Sequence, residues 1–191
     1  MPTHIALEFS DQSFEDCKSS VIISITDLHG RHQERVRLGV VLAETMYDRI
    51  DKGEVVNLDM RYVKDFSLKK YRRSRKIVED EELELRDFSA SWAYFDGVEP
   101  TDLSHVRFTG SSTSFTHCLF GDCPLSFFNS KFHADITDFS LSHFGAGVAN
   151  FQYAEFKSKS INFDHAIFET GDVHFVNCEF GDCKVSFREV N

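Results

Sequence analysis

Phenylalanine recurs at fixed intervals through the second half of this 191-residue chain. From Phe115 onward the spacing alternates between five and seven positions, so the repeating unit spans twelve positions, as from Phe115 to Phe127. The grid consists of Phe115, Phe120, Phe127, Phe132, Phe139, Phe144, Phe151, Phe156, Phe163, Phe168, Phe175, Phe180 and Phe187. Helical-pair solenoids need a period of about 33 to 47 residues, and a period this short excludes them. A continuous α-helix would spread the rings around its surface, which leaves short strands stacked as a β-helix.

The position two residues before each phenylalanine holds a smaller side chain. Alternate residues of a strand share a face, so each strand is predicted to point one ring and one smaller residue inward. Before the first ring of each pair stand Thr113, Leu125, Thr137, Ala149, Ile161, Val173 and Val185. Before the second stand Cys118, Ser130, Ser142, Ala154, Ala166 and Cys178. Turn-like segments such as Gly121-Asp122-Cys123 separate the pairs.

Three triplets show a small residue, any residue and then phenylalanine: Ala154-Glu155-Phe156, Ala166-Ile167-Phe168 and Cys178-Glu179-Phe180. With this pattern the chain resembles the pentapeptide-repeat family over about residues 83 to 190. The resemblance implies an all-β fold, a right-handed quadrilateral parallel β-helix. Two extra residues after every second unit distinguish this chain from the strict five-residue repeat, so the corners of the coil are expected to be uneven.

The outward residues indicate whether one coil of the β-helix contains one twelve-position repeat or two. The residues just before the second ring of each pair alternate between charged and uncharged: Arg107, Leu119, Lys131, His143, Glu155, Ile167 and Glu179. Stacked strands lie about 4.8 Å apart, so residues of similar chemistry are expected to follow one another in a column. The columns are uniform at a spacing of 24 and mixed at 12, which predicts a 24-residue coil.

The first part of the chain lacks the repeat. Residues 4–9, 21–26 and 34–43 are predicted strands, residues 28–31 a turn and residues 44–52 a short helix. An open β-helix end exposes hydrogen-bonding edges and apolar core, so a cap is expected. The chain is predicted to consist of an N-terminal β-rich capping segment with a short helix (1–55), an irregular first coil with a basic and acidic loop (56–82) and the pentapeptide-like β-helix (83–191).

One outward face is predicted to carry an aromatic, histidine and aliphatic stripe. Its members are Trp92, Tyr94, His117, Leu119, Leu141, His143, His165 and Ile167. An exposed apolar stripe of this size is typical of an interface, so we expect it to bind a protein partner. The alternative is that the N-terminal segment folds over the stripe and hides it. The histidines would make such binding sensitive to pH.

A basic segment precedes the regular repeats. It contains Lys69, Lys70, Arg72, Arg73, Arg75 and Lys76, and four consecutive acidic residues follow at 79–82. One interpretation is a solvated loop that bulges from the stack. The other is a contact loop for an acidic partner or a phosphate backbone, although the neighbouring acids can pair with it in cis.

Composition limits the remaining classes of function. Five cysteines, an odd number, argue against a complete disulfide framework and favour a cytoplasmic chain with reduced thiols. The pairs Cys118/Cys123 and Cys178/Cys183 are too widely spaced for the knuckles of a four-cysteine zinc site. A net charge of −10 argues against direct binding of nucleic acid or anionic membranes. The sequence also lacks an apolar run of about 18 residues, so no membrane span is expected.

The sequence contains no recognisable catalytic or phosphate-binding motif. We therefore expect a non-enzymatic β-helical scaffold without a cofactor or metal, which binds an unidentified protein partner through the stripe. The family resemblance implies an alternative: an acidic DNA mimic that acts on a type II topoisomerase (gyrase), as in quinolone-resistance pentapeptide proteins. Related family members pair end to end, so the resemblance also implies a homodimer through the C-terminal end.

Overall fold

The protein is described by a computed structural model that covers residues 3–27 and 33–190. Over these residues an antiparallel meander leads into short parallel strands, which stack in four sheets as the faces of a β-helix. The all-β, parallel β-helical fold predicted from the phenylalanine spacing is confirmed.

The N-terminal segment consists of three strands and a helix. Their bounds are β1 (Thr3–Ser10), β2 (Ser20–Asp27), β3 (Gln33–Leu42) and α1 (Ala43–Asp51). The three predicted strands and the predicted helix are therefore confirmed to within a residue or two. The turn predicted at residues 28–31 lies outside the described residues.

The β-helix has four faces, numbered here in the order in which the chain visits them. Face 1 contains β4 (Arg61–Lys64), β6 (Tyr94–Asp96), β10 (Leu119–Phe120), β14 (His143–Phe144) and β18 (Ile167–Phe168). Face 2 contains β7 (Thr101–Asp102), β11 (Leu125–Ser126), β15 (Ala149–Asn150) and β19 (Val173–His174). Face 3 contains β5 (Leu83–Arg86), β8 (Val106–Thr109), β12 (Lys131–Phe132), β16 (Glu155–Phe156) and β20 (Glu179–Phe180). Face 4 contains β9 (Ser112–Ser114), β13 (Ile136–Asp138), β17 (Ser160–Asn162) and β21 (Lys184–Ser186).

Strand register fixes the length of the coil. Leu119 lies opposite His143, and His143 lies opposite Ile167, so each partner is two twelve-position repeats further along the chain. Lys131, which is only one such repeat from Leu119, belongs to another face and lies opposite Glu155. Leu119 also lies opposite Tyr94, with the one-residue slip expected between the first and the regular repeats. The predicted 24-residue coil is confirmed.

The phenylalanines fill the core as four ladders of stacked rings. Within a ladder the rings are nearly parallel, as for Phe139 and Phe163, whose centroids are 4.8 Å apart at 3°. Between ladders they meet edge to face, as for Phe127 and Phe139 at 5.6 Å and 84°. Offset-stacked and edge-to-face geometries are the favourable ones for aromatic pairs. The four ladders begin at Phe95, Phe108, Phe115 and Phe127 and repeat with the coil.

Helix α1 closes the N-terminal end of this core. Its Met46 and Tyr47 are buried in the same cluster as Phe66 and Leu58 of the first coil. The Tyr47 hydroxyl donates to the carbonyl oxygen of Ser67 at 2.6 Å and accepts from the Ser67 N–H at 3.1 Å. The capping role predicted for the N-terminal segment therefore rests on both apolar packing and a buried hydrogen-bonding pair.

The basic segment is not a loop, contrary to one of our predictions. It forms helix α2 (Leu68–Arg75), inserted into the first coil between β4 and β5. The Ser67 side chain caps its start by accepting from the Lys70 N–H, and Lys76 ends it in the left-handed conformation. Leu68 and Tyr71 are buried on one side of it, so packing of an apolar side stabilises a helix despite the concentrated positive charge.

Candidate functional site

The structure places the predicted stripe on the outside of face 1, in two adjacent columns. Tyr94, Leu119, His143 and Ile167 follow one another on the strands, and we call them the strand column. Trp92, His117, Leu141 and His165 precede those strands, and we call them the corner column. All four corner residues have positive φ, between 55° and 59°. The left-handed backbone forms the bend into face 1 and turns these side chains outward.

The meander covers most of the strand column. Val21, Ile23 and Leu38 of β2 and β3 form a second apolar cluster with Tyr94, and Leu119 packs against it. Only 5% of Tyr94 is exposed. One side of the meander is apolar because alternate positions hold Val21, Ile23 and Ile25 in β2 and Val36, Leu38 and Val40 in β3. Burial of this side against face 1 stabilises the meander. The N-terminal segment therefore hides the strand column, which is the alternative interpretation of the stripe.

His143 is an interior residue of this packing. Its Nε2 lies 2.8 Å from Oε1 of Glu169, and each side chain is 8% exposed. A small polar cavity of about 170 Å³ adjoins the pair, bordered also by His4 of β1 and by Asp122. His143 therefore belongs to the seam between the meander and the β-helix rather than to an open surface.

The corner column remains accessible along the edge of the meander. Leu141 is 46% exposed, and His165 is exposed beside Glu189, with 3.3 Å between Nδ1 and Oε2. The rings of Trp92 and His117 stack at 4.0 Å and 12°. Burial lowers the pKa of His117 below its ordinary value, so its neutral form is favoured.

A shallow apolar groove runs between the corner column and the meander. It is about 60 Å³ in volume, and its walls are Ile25, Val36 and Glu34 on the meander side and Trp92, His117 and Leu141 on the β-helix side. The groove and the exposed Leu141 together form a continuous surface, which we call the open corner. The open corner is the part of the predicted stripe that a partner can reach.

The basic side chains of α2 are largely neutralised within the chain. Arg75 pairs with Glu44, Asp48 and Asp51 of α1, at 2.6 Å, 3.3 Å and 2.8 Å respectively. Both Lys69 and Arg73 approach Oε1 of Glu79. These pairs tie α2 to α1 and to the acidic segment that follows it. They weaken the interpretation of the segment as a phosphate-binding surface, while Lys70 and Lys76 stay exposed.

Arg72 has a structural position. It is fully buried, and its guanidinium donates to the carbonyl oxygens of Glu81, Ser104 and His105, each at 2.9 Å. Burial lowers its pKa, and Asp102 and Glu81 oppose that shift through their charge. Arg72 therefore fastens α2 to the corner between faces 2 and 3.

The cysteines of the β-helix are buried or half-buried, in the core or at turns. Cys118 is fully buried at an inward position, and burial raises the pKa of its thiol well above the ordinary value. The Cys178 thiol donates to the carbonyl oxygen of Phe151 at 2.9 Å. Cys123 and Cys183 are half-buried at turns. Within the described ranges there is no group of three or more histidine, cysteine or carboxylate side chains that could hold a metal ion.

Sequence reasoning missed a cleft beneath the first coil. It is about 770 Å³ in volume and lies between the segment after β1, the start of α1 and the first coil. Arg61 crosses one side, with Nη1 at 2.5 Å from Glu15 and Nη2 at 2.7 Å from Asp16. These charges lie far apart in the chain, in a segment without periodicity, so no spacing in the sequence associates them.

The last coil exposes a second apolar surface. Phe180 and Phe187, which continue two of the ring ladders, are 47% and 46% exposed, and Val185, which lies opposite the buried Ile161, is exposed as well. The residues equivalent to these rings one coil earlier are fully buried. The expectation that a second copy covers this end stays a prediction.

No family model, curated protein or solved structure matches this chain. In the described part of the chain, neither helix is long and apolar enough to cross a membrane.

Proposed function

We propose that this chain is a non-enzymatic β-helical scaffold that binds a protein partner through the open corner. The observation that carries the proposal is the exposure of Leu141 beside the Trp92–His117 stack, at the edge of an otherwise closed apolar seam. A partner side chain placed in this groove would extend a packed core rather than lie on a flat polar surface. Anchors of this kind provide most of the affinity of protein interfaces.

The backbone of the corner column supports this proposal. Bulky residues are disfavoured in the left-handed region, at a cost of roughly 1 kcal/mol each. The corresponding bend before face 3 holds Asn129 and Asn177, which tolerate this conformation more easily, and alternates them with the larger His105 and Tyr153. Leu141 at φ 58° combines local strain with exposure to water, a combination that stability does not favour. A role in recognition supplies a reason for it.

Charge defines the kind of partner that fits. From Glu84 to the end of the chain there are 15 acidic and seven basic residues, a net of −8. The groove itself includes Glu34. We infer that the partner presents an apolar side chain flanked by basic groups, because complementary charge favours both encounter and register.

The test is co-purification from native cells with the tagged full chain and with Leu141→Lys. We expect the partner to be recovered with the parent protein and lost with Leu141→Lys. The matched control is Ile136→Lys, because Ile136 is an apolar residue at the start of face 4 that is 50% exposed and does not line the groove. If Leu141→Lys retains every partner that the Ile136→Lys control retains, the open corner is not the interface.

We also infer that the repeat is a variant of the pentapeptide repeat. Support comes from the four faces, the 24-residue coil and the pairing of one ring with one small residue on each strand. Replacing the coil from Phe139 to Asn162 by a coil of four strict pentapeptides tests this inference. A cooperatively folded product supports a shared coil geometry, and an unfolded product contradicts it.

DNA mimicry is a second proposal, favoured by the exposed carboxylates along the outside of the later coils. Examples are Asp122, Asp135, Asp172 and Asp182, all exposed. Five stacked coils are separated by four steps of about 4.8 Å, so the stack rises only about 20 Å, less than one turn of duplex at about 34 Å. A mimic of useful length therefore has to be paired. A gyrase supercoiling assay tests the proposal. Inhibition by the purified chain supports it, and unchanged supercoiling at saturating protein contradicts it.

A further inference from the structure

Strand β1 forms one edge of the eight-stranded sheet that contains face 1. It pairs with β2 along all eight of its residues, in an unbroken antiparallel register from Thr3↔Asp27 to Ser10↔Ser20. Among the described residues, no strand pairs with the other side of β1. The molecule therefore presents a long, regular strand edge, separate from both the open corner and the last coil.

The hydrogen bonds of the meander show which groups point outward from this edge. The Val40 N–H donates to the Ser19 carbonyl oxygen, so odd-numbered residues of β2 bond to β3. Antiparallel ladders alternate, so the even-numbered residues of β2 bond to β1, where they lie opposite even-numbered residues. The N–H and C=O groups of Ile5, Leu7 and Phe9 consequently point away from the sheet.

Strand β1 has few of the features that normally protect a strand edge, and its one acidic side chain, Glu8, is paired with Arg35 at 3.1 Å. Exposed edges are usually interrupted by lysine, proline or a bulge. The sequence of Thr3–Ser10 contains no lysine, arginine or proline, and its register shows no bulge. At its end Phe9 is 61% exposed, although one side of the ring contacts Tyr62 edge to face at 5.3 Å. An edge of this kind favours the addition of another strand.

We propose that β1 pairs with β1 of a second copy, antiparallel about a two-fold axis at Ala6. The outward N–H and C=O groups of odd-numbered residues require odd residues to face odd residues. A two-fold axis at Ala6 satisfies this rule, because it places Ile5 opposite Leu7 of the second copy. The paired segment then extends from Thr3 to Phe9. A two-fold interface of this type closes on itself and gives a dimer.

The side chains of β1 are complementary to themselves in this register. On the outer side, Ala6 and Glu8 are exposed, and so is His4, which also borders the polar cavity beside His143. His4 then lies opposite Glu8 of the second copy, in a pair without backbone hydrogen bonds, where side chains approach most closely. Ala6 lies opposite Ala6, which places two small residues on the axis. On the inner side, Ile5 and Leu7, which pack beneath the meander, continue the apolar surface across the interface.

Sedimentation velocity of the full chain and of Ala6→Glu tests the pairing. The substitution places two carboxylates opposite each other on the axis, and we expect it to weaken dimerisation by about fivefold or more. Ser13→Glu is the matched control, since it adds the same charge at an exposed position outside the strand. A monomeric parent protein, or equal dimerisation of the parent and Ala6→Glu, overturns the proposal.

Cross-linking provides a second readout that does not depend on affinity. Two cysteines directly opposite in a pair of this type lie within disulfide reach, so Ala6→Cys should cross-link rapidly in mild oxidant. Glu8→Cys is the control, because its thiol would face His4 of the second copy rather than an identical thiol. Cross-linking of Ala6→Cys no faster than Glu8→Cys or the parent protein overturns the register. Phe180→Lys, tested in parallel, distinguishes the two possible dimers. It would disrupt pairing through the last coil and should leave a dimer formed through β1 unchanged.

Discussion

The Ser142 hydroxyl donates a hydrogen bond to the Phe115 carbonyl oxygen of the preceding coil, 2.6 Å away. The same relationship joins Ser130 to the carbonyl of Leu103 at 2.7 Å. It shows that the small inward residue before the second ring has two roles. It leaves space for the ring, and it can tie its own coil to the preceding one.

Ser142→Ala should therefore lower the free energy of unfolding by about 1 kcal/mol, the usual contribution of one hydrogen bond. Ala154→Ser should raise it by a similar amount, because residue 154 occupies the same kind of position between Ser130 and Cys178 in its column. Chemical denaturation of both variants measures these changes. If Ala154→Ser is destabilising, the position is selected for small size alone.

Thr113→Val should stabilise the protein by about 1 kcal/mol, because a buried hydroxyl without a partner costs free energy. Thr113 is fully buried, and its hydroxyl has no hydrogen-bond partner among the described residues. Thr137→Val is the matched control one coil later, where the hydroxyl contacts the Ser158 hydroxyl at 2.7 Å. We expect the control to be neutral or destabilising in thermal unfolding. A stability loss at Thr113→Val would show that its hydroxyl has a partner.

Tyr47→Phe should lower the free energy of unfolding by about 1–3 kcal/mol, since it leaves the buried N–H of Ser67 without a partner, while the Ser67 carbonyl keeps its hydrogen bond from the Tyr71 N–H. Tyr153→Phe removes a hydroxyl from a ring that is half exposed and should change stability little. Denaturant midpoints of the two variants provide the comparison. Equal effects would contradict a specific role of Tyr47 in fastening α1 to the first coil.

Stability should fall as the pH is lowered from 7 toward 5. Burial lowers the pKa of His105, His117 and His133 below the ordinary value of 6.5, so the unfolded chain takes up protons first in this range. The stability that these neutral histidines contribute is fully present above pH 6.5, the pKa of histidine in the unfolded chain. It is lost as the pH falls toward the lower pKa values of the folded protein. His117→Asn, which suits the left-handed backbone at that position, should lose less stability over this interval. An equal loss would exclude His117 as a contributor.

The repeat could be read from the sequence because it is local and periodic. Phe139 and Phe163 stand at equivalent positions of successive coils, and the alternation of Leu119 with Lys131 selected the 24-residue coil. The strands of the meander were likewise visible as short segments rich in apolar and β-branched residues. Helix α2 was mistaken for a loop because its charges dominate the segment, whereas burial of Leu68, Tyr71 and Arg72 determines its conformation.

The sequence by itself determined the period of the coil, the inward direction of the rings and the outward direction of the stripe. Only the tertiary structure decided which outward residues meet solvent. Contacts between Ile23 or Leu38 and Tyr94 join residues far apart in the chain, and no periodic signal relates the meander to the repeat. The gain from burying two apolar surfaces determines where the meander docks. That docking covers Tyr94 and leaves Leu141 exposed.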